Sequence, residues 1–155
     1  MGFFDKVKGA VNKLTGGGAK VSVMVSGNDL KGTLNVTVSA EIKDNPIQIS
    51  KVYLWVKSQE KIDVPKNSLP DNLRQYAQFG LSLINDKFPK KEYVVAQAQT
   101  LEAKQNYSWS IDITIDASAT PSYNGQFASH EWVFLAGLDC SGNDPDSGWQ
   151  KIDLK

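Results

Sequence analysis

The only histidine of the chain, His130, stands beside Glu131, and an imidazole next to a carboxylate is the first place to look for acid–base chemistry. Both sit in the run His130-Glu131-Trp132-Val133-Phe134-Leu135. That run reads as a strand, and neighbours on a strand point to opposite faces. Adjacency therefore does not couple them, and His130 is expected to be structural or superficial. Cys140, beside Asp139, has no histidine near it in sequence and reads as a buried, inert thiol. A hydrolase would need a site that these residues do not display, so the chain is expected not to be an enzyme.

Two other groups could bind rather than react. Asp139, Asn143, Asp144 and Asp146 cluster hard oxygen ligands of the kind Ca²⁺ takes. Counted from Asp139, Ser141 and Asn143 fall where ligands belong, but the sixth position is Asp144 rather than Gly and the twelfth is Gln150 rather than Glu. A solvated turn whose side chains bond their own backbone is the expected reading. No Cys/His cluster suggests zinc, and neither a metal nor a cofactor is expected. Tyr53 and Trp55, with Trp149 and the acidic loop, could form a stacking platform for a carbohydrate or small molecule, with Ca²⁺ as an aid. The competing expectation is that Tyr53 and Trp55 are buried under the middle of the chain. Gly16-Gly17-Gly18 is not followed by the Lys-Ser/Thr pair of a phosphate loop.

The scaffold that would position these groups is read from composition and periodicity. With 155 residues and 41% hydrophobic content, the chain can bury a core without disulfides or metals. Lys plus Arg equals Asp plus Glu at 17 each, so no net field favours nucleic acid. One cysteine and no long apolar run suit a cytoplasmic address.

Phe3, Phe4, Val7, Val11 and Leu14 recur at helical spacing, predicting an amphipathic helix within residues 1–18 that ends in the three glycines. Its apolar face would pack on the rest of the chain, enter a partner's groove or lie on a membrane, the last with only a modest pull from three lysines against one aspartate. From Ala19 to residue 155 the period is two. Val21, Val23 and Val25 form a first strand, and Leu34 to Ile42 a second that is expected to pair with it. Val52 to Val56 belong to a third, and Tyr93 to Ala98, Tyr107 to Ile115, Glu131 to Asp139 and Trp149 to Leu154 follow. Between Asp63 and Lys91, Pro65, Pro70 and Pro89 interrupt the pattern, and Leu73, Tyr76 and Phe79 suggest a helical turn, so an irregular insertion is expected there. Strands in series without helices between them predict an all-β antiparallel sandwich of immunoglobulin-like type.

Several segments carry a resemblance: the Gly-rich entry into Ala19–Ser26, Leu30-Lys31-Gly32-Thr33-Leu34 before the second strand, Ile47 to Val56, and Leu101 with Tyr107-Ser108-Trp109. The Pro121 loop, the strand Glu131 to Asp139 and Asn143-Asp144-Pro145-Asp146 complete it. In this order of strands and turns the chain resembles small bacterial arrestin-like proteins of the sporulation-control type. The resemblance implies an arrestin-like sandwich and a non-enzymatic adaptor or scaffold in a stress or developmental process. Its partners would be proteins, met through exposed strand edges and the N-terminal helix, and the same edges would allow a homodimer.

Overall fold

The computed structural model describes residues 17–155 apart from Ala117. The amphipathic segment Phe3, Phe4, Val7, Val11 and Leu14 lies outside the described residues. Two antiparallel sheets face each other. The smaller has the order β1-β2-β5, from β1 (Ala19–Ser26), β2 (Thr33–Ile42) and β5 (Asn106–Thr114). The larger runs β4-β3-β7-β6, from β4 (Leu81–Leu101), β3 (Ile47–Val64), β7 (Ala128–Cys140) and β6 (Tyr123–Asn124), with β8 (Gln150–Ile152) also on β7. The expected pairing of the first two strands is present, from Ala19 opposite Ile42 to Ser26 opposite Asn35.

Alternation explains the core. Leu34, Val36, Val38, Ala40 and Ile42 of β2 are buried against Val52, Leu54 and Val56 of β3 and Trp132, Phe134, Ala136 and Leu138 of β7. Val133 and Leu135, on the other face of β7, are buried as well, which is why that strand reads as a continuous apolar run.

The irregular insertion expected between Asp63 and Lys91 is mostly a β-hairpin arm. β3 continues past Val56 to Val64, and β4 begins at Leu81 rather than near Tyr93. Only the tip is irregular, with a 3₁₀ turn at Lys66–Ser68 and a single-turn α1 at Asp71–Arg74. Arg74 ties the tip together through Asp71 at 2.9 Å and the Leu69 carbonyl at 2.9 Å. Gly80 closes the arm at φ +93°, where a Cβ would stand 2.5 Å from the Val64 carbonyl oxygen. Register shifts between Val56 and Gln59 leave Lys87, Pro89 and Lys90 unpaired on the β4 side, so Pro89 occupies a bulge, where a missing N–H is tolerated.

The arm extends beyond the smaller sheet. Inward-facing positions of β3 are buried through Val56 and Ser58, but Glu60, Ile62 and Val64 on the same face are only half-buried. From Ser58 to Val64 the overhang is roughly 20 Å long.

Candidate interaction surface

On the overhang, cross-strand partners share a face: Ile62 lies opposite Leu83 and Ala128, and Val64 opposite Leu81. Tyr123 of β6 lies opposite His130, which pairs with Glu60. The inner face therefore presents Ile62, Val64, Leu81, Leu83 and Tyr123, with Tyr123 donating to the Glu60 carboxylate at 3.1 Å. The outer face of the same strands is charged: Lys61 and Lys151 both pair with Glu131, at 3.0 and 2.8 Å, and Lys57 with Asp86 at 3.6 Å. This is the pattern of a sheet with one wet and one packed face, yet among the described residues no second sheet lies over the apolar face. At the tip, Tyr76 and Phe79 are 81% and 95% exposed.

Where the overhang meets the end of the smaller sheet there is a cavity of about 280 Å³, lined by Ser58, Phe88, Asp116, Thr120, His130 and Trp132 among others. His130 is structural and buried. Its Nδ1 lies 3.0 Å from the Pro121 carbonyl and its Nε2 2.9 Å from Ser58 Oγ, while the Phe88 N–H donates to the same Oγ at 3.0 Å. A carbonyl only accepts, so Nδ1 carries a proton and Nε2 can accept the Ser58 hydroxyl. The distance matches a nucleophile–base pair, but Ser58 and His130 are 1% and 2% exposed. The arrangement closes the polar end of the core. As the alternation predicts, Glu131 points the other way, where Lys151 and then Lys61 hold its carboxyl below the usual glutamate value.

The structure brings the second predicted group together. Tyr53 and Trp55 stand 4.8 Å apart between ring centroids, and Trp149 stacks on Trp55 at 6.3 Å. Tyr53 is covered by the Ser141–Gly148 loop and not by the middle of the chain, which corrects that expectation. The reason is register: Tyr53 sits opposite Gly137, where a Cβ would come within 2.3 Å of the phenol. Its hydroxyl donates to Asp144 at 3.2 Å, and burial, then Asp144, pushes its pKa well up. The ring faces have occupants from the chain itself, since Lys90 lies 3.8 Å from the Trp55 centroid and Lys57 5.0 Å from that of Trp149. The Trp55 N–H and Lys51 both bond Glu92, whose carboxyl they hold low, Lys51 contributing most.

The acidic loop bonds its own backbone. Asp144 accepts from the Cys140 N–H at 3.1 Å and Asp146 from the Gly148 N–H at 2.7 Å, while Cys140 Sγ reaches the Asn143 carbonyl at 3.8 Å. Asp139 lends its carbonyl to Ser50 at 3.4 Å. Among the described residues no three His, Cys, Asp or Glu side chains are grouped as metal ligands. Cys140 is half-buried, and burial followed by Asp144 and Asp139 raises its thiol pKa. The overhang and the Ser58–His130 link were missed in sequence, since their partners are distant along the chain.

Among the described residues no helix is long and apolar enough to cross a membrane. No protein-family model and no curated protein matches the sequence. The structure is similar to that of Spo0M, a sporulation control protein from Bacillus subtilis, at a TM-score of 0.61 and 15% identity, over 90% of this chain and 50% of that one. The chain thus spans about half the length of this structural neighbour, and what the two share is the arrestin-like β-sandwich fold.

Proposed function

We propose that this chain is a non-enzymatic adaptor acting in a regulatory process, and that it holds a protein partner on the inner face of the β3–β4 overhang. The observation that carries this reading is the apolar set of exposed Leu81, Leu83 and Tyr123 with half-buried Ile62 and Val64, over which no other strand of the described residues lies, backed by a charged outer face. A sheet that is apolar on one face gains stability by burying it, and exposed apolar patches rimmed by polar residues mark interaction sites. The N-terminal segment, with its amphipathic spacing, is a second contact in this reading. The shared fold with a sporulation control protein supports the regulatory setting. The tightly self-bonded acidic loop and the occupied aromatic rings give the carbohydrate- or Ca²⁺-binding alternative no comparable support.

The test is affinity capture from a lysate of the source cells with three baits: the full chain, a form beginning at Ala19, and an Ile62→Lys/Val64→Lys variant. Each bait is first checked for cooperative melting. A defined protein retained by the full chain and lost by the folded overhang variant supports the reading. Equal recovery with the overhang variant counts against it, and recovery that depends only on residues before Ala19 moves the site to that segment.

A further inference from the structure

We infer that the outer edge of the arm pairs with the same edge of a second copy of this chain, across a two-fold axis near Leu83. Among the described residues β4 is an edge strand of the larger sheet, paired only with β3. Proteins guard such edges with lysines, prolines and bulges, and β4 is guarded in this way from Lys87 to Lys91, where Lys87, Pro89, Lys90 and Lys91 coincide with the register shifts. The stretch Leu81-Ser82-Leu83-Ile84-Asn85 has none of these. It is uncharged, it pairs without a break from Val64 opposite Leu81 to Glu60 opposite Asn85, and its midpoint is Leu83.

Antiparallel self-pairing about Leu83 sets Leu83 against its counterpart, Leu81 against Asn85 and Ser82 against Ile84, so no like charges meet. It also brings the exposed tip, with Tyr76 and Phe79, alongside the region of Lys87 and Lys90 in the other copy. A cation beside an aromatic ring is favourable there. Balanced total charge, 17 against 17, adds no long-range repulsion between copies. Ile84, 63% exposed, and the tip residues Leu73, Tyr76 and Phe79 add exposed apolar surface along this edge outside the inner face. Pairing through the edge leaves the two inner faces side by side and open, so this inference does not depend on the adaptor reading.

Sedimentation of the full chain, from low to several hundred micromolar, reads the mass directly. The expected result is a concentration-dependent shift from 17.0 kDa to twice that mass. Leu83→Lys and Leu83→Glu should each stay single, because like charges then face each other at the axis, and an equimolar mixture of the two should pair again. Restoration by mixing shows that both variants are folded. In a Cys140→Ser background, Leu83→Cys should form an intermolecular disulfide, since directly opposed antiparallel positions lie within disulfide reach. A wild-type chain that remains at 17.0 kDa throughout, or a Leu83→Lys chain that still pairs, overturns the inference. So does a single-copy chain whose arm instead binds lipid vesicles. Equal partner recovery by the full chain and the Ile62→Lys/Val64→Lys variant, with the dimer intact, would count against the adaptor reading alone.

Discussion

Gly137→Ala tests how the outer aromatic cluster is held. A Cβ at residue 137 would lie 2.3 Å from both Cζ and Oη of Tyr53, a distance at which the phenol must move. Tyr53 is 4% exposed, packed beside Trp55 and bonded to Asp144 at 3.2 Å. Displacement therefore incurs an overpacking cost of about 1–3 kcal/mol and loses a hydrogen bond of about 1 kcal/mol. Against this, alanine narrows the unfolded ensemble, worth about 0.4–1 kcal/mol. The net expectation is a loss of about 2–3 kcal/mol, or roughly 4–12 °C in melting temperature for a chain of this size. A double-mutant cycle isolates the cause, because the three nearest atoms all belong to the Tyr53 phenol. In a Tyr53→Ala background, Gly137→Ala should be neutral or slightly stabilising. Urea titrations of the four proteins give the coupling energy, and an equal cost of Gly137→Ala in both backgrounds would refute the argument.

Three further outcomes are expected. Ser58→Ala strands the Phe88 N–H and His130 Nε2 and should lower stability by about 1–3 kcal/mol. The wild-type serine, being buried, should resist a fluorophosphonate probe, and rapid labelling would contradict the structural role. Tyr93 carries the one buried side-chain polar atom without a partner among the described residues, so Tyr93→Phe should leave the melting temperature unchanged or raise it, and a clear fall would show a hidden bond. The carboxyls of Glu131 and Glu92 are held below their ordinary value of 4.5. Lowered carboxyl pKa values contribute stability that is present above the unfolded value and lost as pH falls through the folded one. Melting temperature should therefore fall below about pH 4.5, and Glu131→Gln should lower it at neutral pH while flattening that acid limb. An unchanged acid limb would contradict the ion-pair assignment.

The sandwich was legible because alternation and burial coincide: Leu34 to Ile42 and Ile49 to Val56 face a covered core. The arm was not legible, and the reason is physical. In Lys57-Ser58-Gln59-Glu60-Lys61 both faces of the strand carry polar groups, so period-two hydrophobicity disappears where cross-strand ion pairs such as Lys61 with Glu131 take over. Pro89 and the bulges around it then look like the end of a strand rather than a kink within one. The residues of the aromatic and acidic group could be named from sequence, but what covers Tyr53 depends on its register with Gly137, 84 positions away. The pairing of Ser58 with His130, 72 positions apart, left no local signal at all.

The central claim is that the inner face of the overhang is a binding face. Hydrogen–deuterium exchange of the full chain, free and with its captured partner reconstituted from pure components, tests this most directly. The account predicts new protection concentrated at residues 60–64, 81–85 and 121–128, with the β1–β2 region unchanged. Protection confined to the 141–149 loop, or to the edge of β1, would contradict it.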